Sequence, residues 1–252
     1  MGVYRYLRDQ LGSIRDVYVA GNAIERRDDF GEGEVVLLLH GFFQTRNIWE
    51  VMEDRLRFDG YSVMSFNLGG LLYRFNTKPV DRIARDIAHK IEGLRLRHGF
   101  DGLHIVGHSK GGLIARRYVQ HYGGVRRVKS VVTLGTPHHG APTAAIALPL
   151  QSVASVAELM PYSGVVRALK KDIFPAHIPL TSIYSTGDLV CPFWGSVLRP
   201  RDGESSMHNV QVRGVGHSEL TWDPGVYRIV RTRLDHASRL WRQRNRGGVA
   251  AR

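Results

Sequence analysis

The sequence predicts an α/β fold, a mostly parallel central sheet flanked by helices, in one domain over residues 1–252. Three observations lead there. Short apolar runs alternate with segments whose apolar residues recur every three or four positions, the rhythm of strand–helix–strand units. The runs are apolar without a break, as in strands buried on both faces. And 252 residues with 43% apolar and 23% charged side chains are ordinary for one globular domain, which excludes a disordered or fibrous chain.

The elements follow in order. Val35 to Leu39 reads as the first strand and Tyr61 to Phe66 as the second. Val80, Ile83, Ala84, Ile87, Ile91 and Leu94 then form one stripe of an amphipathic helix. Leu103 to Val106 is the third strand, and Leu113, Ile114 and Tyr118 lie on the helix after it. Val128 to Leu134, Leu180 to Ser185 and a short Val210 to Val212 are the remaining strands. Asp223-Pro224 reads as an N-cap with proline at the first helical position. Val226, Ile229, Val230, Leu234, Ala237 and Trp241 continue that last helix, with most of its arginines off the stripe.

One stretch breaks the rhythm. No charged residue occurs between Lys129 and Glu158, and Pro137, Pro142 and Pro149 interrupt the segment. It is too broken and too polar to span a membrane. Residues 141–178 are therefore expected to form either a buried insertion or an apolar, helical cap over a site.

Composition narrows the function. Cys191 is the single cysteine, so neither an intrachain disulfide nor a thiolate zinc site is available. Met1 to Asp16 carries Arg5, Arg8, Asp9, Arg15 and Asp16 and has no apolar core of the kind a signal peptide needs. Tyr6 stands where a myristoylation signal requires Ser or Thr. These features predict a cytoplasmic protein, peripheral to the inner face of the membrane. The net charge is +12, and residues 226–252 hold eight arginines against the single acid Asp235. Residues 242–252 read as a basic, flexible tail suited to an anionic membrane surface. No zinc finger, RRM or basic zipper accompanies the charge, so no nucleic-acid partner is expected.

The chemistry is carried by Gly107-His108-Ser109-Lys110-Gly111, a G-x-S-x-G elbow placed between a strand and a helix. The turn lifts the serine hydroxyl above the sheet, and the glycines let strand and helix approach closely. A serine needs a base to become a nucleophile. His217, in Gly214-Val215-Gly216-His217-Ser218, stands late in the chain before the final helix and is the candidate, with His208 as its rival. The orienting acid should lie between serine and histidine after a strand. Asp188 in Ser185-Thr186-Gly187-Asp188 fits, against Asp172, Asp202 and Glu204. Two backbone N–H groups should stabilise the tetrahedral oxyanion: that of Lys110, after the nucleophile, and that of Phe42, in the loop His40-Gly41-Phe42. Each such donor is worth ~3–4 kcal/mol in the transition state. His40 supports this loop, and the side chains of Phe42 and Phe43 suit an acyl pocket.

With these residues in place, the chain resembles the bacterial lipases and esterases of the α/β-hydrolase fold, in particular the true triacylglycerol lipases and their compact relatives. The resemblance spans about Val35 to Leu234. It also rests on Gly135-Thr136-Pro137-His138-His139-Gly140 after the strand that follows the elbow. It implies Ser109 as nucleophile, His217 as general base and acid, and Asp188 as orienting carboxylate, with the amides of Phe42 and Lys110 as oxyanion donors. It further implies a substrate-covering lid over residues 141–178, whose inner face would use Leu148, Leu150, Val153, Val156, Leu159 and Met160. Three features depart from the group. Its members are often secreted, some carry structural calcium or zinc, and Lys110 occupies the variable position of the elbow. His138 and His139 have no partner set with ligand spacing, so no metal and no cofactor is expected. The Lys110 side chain is expected to face solvent or a neighbouring acid.

The expected function is cleavage of an ester, lipid-like in its acyl part, through a Ser-His-Asp triad and an acyl-enzyme. The alternatives are an acyltransferase, thioesterase or amidase with the same triad, and a basic membrane-binding module in which the triad is idle.

Overall fold

In the computed structural model, which describes residues 33–69, 76–144 and 153–249, the apolar runs become the strands of one sheet. They are β1 (Val35–Leu39), β2 (Ser62–Ser65), β3 (Leu103–His108), β4 (Val128–Leu134), β5 (Leu180–Ser185) and β6 (Met207–Val212). Their order is β2-β1-β3-β4-β5-β6, and each neighbouring pair is parallel. The helices are α1 (Glu50–Phe58), α2 (Val80–His98), α3 (Lys110–His121), α4 (Val153–Ala157), α5 (Gly164–Lys171), α6 (Phe193–Ser196) and α7 (Pro224–Val249). None of the described helices is long and apolar enough to cross a membrane.

The unbroken apolar strands are divided between two cores by the two-residue period of a strand. Leu37, Leu39 and Ile105 point to one face, where the predicted α2 stripe from Val80 to Leu94 and Leu113, Ile114 and Tyr118 of α3 cover them. Val36, Leu38, Val106 and Val132 point to the other, against Met52 and Leu56 of α1 and Val226, Val230 and Leu234 of α7. The N-cap reading of α7 holds: Asp223 Oδ1 accepts the Val226 N–H at 2.8 Å.

β2 is one residue shorter at each end than the sequence reading and β3 runs on to His108; three larger features also differ. β6 begins at Met207, three residues early, because it is an edge strand whose His208 and Asn209 are exposed and carry no apolar signal. α7 continues to Val249, so residues 242–249 are helical, and only 250–252 of the expected tail lie outside the described residues. In the 141–178 connection, Leu159, Val165, Leu169, Phe174 and Ile178 are buried in the same core as α2 and α3. Much of that connection is thus packed onto the sheet.

The strand order sets the location of a site. The chain moves from β1 outward to β2, then returns past β1 to β3. The loops leaving β1 and β3 therefore diverge at their carboxyl ends, and the crevice between them is where open parallel sheets bind ligands.

Candidate active site

Ser109 stands in that crevice, at the junction of β3 and α3, with φ +52° and ψ −123°. For a residue with a Cβ this is a costly conformation that the surroundings must enforce. They do so by closeness. A Cβ on Gly111 would lie 1.9 Å from the Leu39 carbonyl oxygen, and one on Gly107 would lie 2.7 Å from the Gly112 backbone. The Ser109 N–H is anchored to the Leu134 carbonyl at 2.9 Å. The strained turn leaves the Ser109 side chain half-exposed in a cavity of about 500 Å³, an ordinary size for a small-molecule site. Phe42, Phe43, Ala141, Val156, Leu159 and Val190 give that cavity apolar walls.

His217 lines the same cavity, and its Nδ1 donates to Asp188 Oδ2 at 2.7 Å. Both side chains are buried. Asp188 has no freedom to turn away, because its Oδ1 accepts the N–H groups of Val190 (2.9 Å) and Cys191 (2.7 Å). With the proton of a neutral ring on Nδ1, His217 Nε2 keeps a lone pair and can act as a base. No hydrogen bond joins Ser109 to His217 in this conformation; such contacts are often loose before substrate binds. Gly135, at φ +54°, makes the dyad possible: a Cβ there would lie 2.8 Å from Asp188 Oδ2 and 3.1 Å from His217 Nδ1.

The rivals lie elsewhere. His208 is beside Thr181, at the amino end of the β5–β6 pair and far along the strand from Asp188. Asp172 pairs with His121 at 3.1 Å, Glu204 with Arg201 at 3.3 Å, and Asp202 is exposed. Cys191 lines the cavity too, but burial and the nearby Asp188 push its thiol far up, so it is not a thiolate.

The β1 loop, where a Cβ on Gly41 would lie 2.9 Å from Ser109 Cβ, offers the Phe42 N–H and the elbow offers the Lys110 N–H. Neither donates to an acceptor among the described residues. Asn76 Nδ2 holds the His40 carbonyl at 2.9 Å, and His40 Nε2 accepts the Leu68 N–H at 3.2 Å. Burial lowers the His40 pKa to about 4, so it is a neutral brace. Phe43, at φ +53°, is a second strained residue in the same loop.

Two features escaped the sequence reading. Gln44 Oε1 accepts the Gly41 N–H at 2.7 Å and lies 2.9 Å from His108 Nδ1, while His108 Nε2 lies 3.0 Å from the His217 carbonyl oxygen. The His108 ring also sits 4.5 Å from that of His217. The buried Gln44 and His108 side chains thus fill the space between the β1 loop and the His217 loop, the neutral His108 ring donating its one N–H to one of these two oxygens, and no local pattern marks Gln44. The second is the Lys110 side chain, which does not face solvent. It is fully buried, its Nζ donating to the Lys78 carbonyl and to Ser155 Oγ, each at 2.5 Å. Burial lowers its pKa to about 8, opposed by Glu158.

Of the expected cavity residues, Phe42, Phe43 and Leu159 line it; Met160 is half-buried outside the lining. Leu148, Leu150 and the Val153 side chain lie outside the described residues. Among the described residues no three His, Cys, Asp or Glu side chains are placed to hold a metal ion.

Residues 34–161, just over half of the chain, match the family described as alpha/beta hydrolase fold. Solved structures agree at low identity. A carboxylesterase of the thaumarchaeon Nitrososphaera gargenis is 15% identical with a TM-score of 0.60, over 82% of this chain and 92% of that one. The mature lipase BlEst2 of Bacillus licheniformis is 18% identical with a TM-score of 0.58, over 80% and 91%. A bromoperoxidase from Bacillus anthracis is 17% identical with a TM-score of 0.60, over 77% and 89%. At these identities the likeness is one of fold.

Proposed function

The chain belongs to the α/β-hydrolase family, and from that premise we propose that it is a serine hydrolase of carboxylic esters whose acyl part is lipid-like. The observation that carries the reading is the buried Asp188–His217 pair opening, with the strained Ser109, into one apolar cavity.

In the proposed reaction, Ser109 Oγ attacks the ester carbonyl carbon while His217 Nε2 takes the hydroxyl proton. Asp188 holds the ring in its Nδ1–H form and stabilises the imidazolium. The N–H groups of Phe42 and Lys110 receive the oxyanion at the positive end of α3. The intermediate collapses, the C–O bond breaks, and His217 returns the proton to the departing alcohol. Water then attacks the acyl-serine with His217 as base, releasing the acid and restoring Ser109. No step needs a redox partner.

The apolar walls support an acyl chain over a polar group. The exposed Leu189, Val190, Phe193 and Trp194, which directly follow Asp188, add apolar surface that suits lipid-like substrates. Ala141, Ala144, Val156 and Leu159 would be the part of the 141–178 connection that lies against the chain. The fold also hosts other chemistry, as the bromoperoxidase likeness illustrates, so the test must read the reaction itself. Hydrolysis of p-nitrophenyl esters from acetate to palmitate by wild type and Ser109→Ala provides it. Serine-dependent turnover is the expected result, and full activity in purified Ser109→Ala would sink the proposal. Thioesters and amides of matched acyl length separate the remaining acyl chemistries.

A further inference from the structure

Behind the turn that carries Pro137 lies a second cavity, of about 230 Å³. Pro137 faces the main cavity; His138 and His139 face this one. Arg116 enters it from α3, Lys170 from the end of α5, and Arg199 and Arg201 from the β5–β6 connection. Glu204 is the acid in the lining, and it is already engaged. It pairs with Arg201 and accepts the N–H groups of Phe174 (2.9 Å) and Arg201 (3.0 Å).

Arg116, Lys170 and Arg199 form no salt bridge among the described residues, and the Glu204 charge that favours the Arg116 cation is shared with Arg201. Arg116 is 4% exposed. Its two terminal nitrogens reach the Leu169 carbonyl (2.8 Å) and His138 Nδ1 (3.3 Å), but its Nε has no hydrogen-bond partner among the described residues. A guanidinium only donates, so His138 Nδ1 accepts, and the His138 proton sits on Nε2, which donates to Thr133 Oγ1 at 3.0 Å. His138 is thereby a neutral strut for Arg116. Both ring nitrogens of His139 are buried without a well-formed hydrogen bond, and Lys170 and Arg199 form no ion pair among the described residues. A buried guanidinium with an orphan N–H is costly unless something negative meets it.

We propose that this cavity binds a small tetrahedral oxyanion of the phosphate class, held by Arg116, Lys170 and Arg199 with a donor from His139. The donors come from four separate elements and line one cavity, which suits four oxygens better than the planar fork of a carboxylate. The mutual repulsion of the cations points the same way: burial first, then Arg199 and Arg116, lower Lys170, and Lys170 and Arg199 help burial bring His139 to about 4. The site is independent of the ester-hydrolase reading.

The test is a thermal melt and calorimetric titration of the full chain at pH 7. It uses sodium phosphate, glycerol 3-phosphate as an organic monoester, and sodium chloride at matched ionic strength. Lys170 and Arg199 are exposed and support no other group, so Lys170→Ala/Arg199→Ala should fold like wild type. The expected result is a saturable rise in Tm with phosphate or the monoester, chloride giving none, and an apparent Kd at least tenfold weaker in the double variant. Tighter binding of the monoester identifies an organic phosphate as the ligand; tighter binding of inorganic phosphate identifies the free ion. A rise that chloride reproduces, one unchanged in the double variant, or no saturable rise with either phosphate overturns the site. As a second readout, the His139 imidazole should titrate at higher pH with phosphate bound.

Discussion

Replacing Gly135 by alanine separates two effects that a single glycine now relieves. The first is backbone strain: at φ +54° a side chain costs about 1–2 kcal/mol. The second is a collision. The new Cβ would lie 2.8 Å from Asp188 Oδ2, 2.9 Å from Leu220 Cδ1 and 3.1 Å from His217 Nδ1. The two polar atoms are the ends of a 2.7 Å hydrogen bond, so relief requires moving the carboxylate, the ring or both. Misplacing a catalytic group by about 1 Å costs roughly 10²-fold in rate, or about 2.7 kcal/mol, and loss of the orienting acid altogether roughly 10⁴-fold. Gly135→Ala should therefore lose between these limits in kcat/KM, as well as some stability. Gly203→Ala is the control, because Gly203 has φ +87° and nothing within 4 Å of the added Cβ. It should lose about 1 kcal/mol of stability and keep its activity. The assay is p-nitrophenyl butyrate hydrolysis beside thermal melts followed by circular dichroism. If both variants stay within twofold of wild-type activity, Gly135 does not set the geometry of the dyad.

Three further outcomes follow from other contacts. The Lys110 amine titrates at about 8 when folded against 10.5 when exposed, so the unfolded chain holds more protons between those values and stability rises with pH across that window. Lys110→Met, which keeps the stem and the N–H, should lack the rise; an unchanged Tm difference between the proteins from pH 7.5 to 10.5 would refute the burial argument. Gln44→Ala leaves the Gly41 N–H without its acceptor and removes the contact to the His108 ring, and should lower kcat about tenfold, near 1.4 kcal/mol, with KM for p-nitrophenyl acetate little changed. A kcat within twofold of wild type would remove Gln44 from the site. Deleting residues 242–252 should abolish salt-sensitive binding to phosphatidylglycerol vesicles in flotation, whereas unaltered binding would count against a membrane role for that end.

The sequence was most legible where burial is uniform. β1, β3 and β5 lie inside the sheet, so both faces demand apolar residues and the runs stand out. The α2 stripe is legible for the same reason, one face being committed to one core. The elbow could be read because a strained turn leaves a glycine on either side of Ser109. Legibility fails where a residue's type disagrees with its surroundings. Lys110 reads as a surface lysine, yet the connection containing Ser155 covers it. Gln44 gains its role from His108, 64 residues on at the end of β3, and Arg116 from a cavity built by four elements. Such roles depend on tertiary meeting points, which no spacing along the chain records. β6 was shortened because an edge strand may be polar without penalty.

Asp188 gives the two sides of the main cavity unequal tolerance to change. The carboxylate that orients His217 also anchors the backbone of Val190 and Cys191, and those residues form one wall. Reshaping that wall, by lengthening the loop or by a proline at either position, removes an N–H from the carboxylate and disturbs the base. Val156 and Leu159, elsewhere in the lining, make no hydrogen bond to the dyad. An engineer altering substrate size could reshape the lining at Val156 and Leu159 while keeping the rate, whereas at Val190 and Cys191 selectivity and turnover would have to change together.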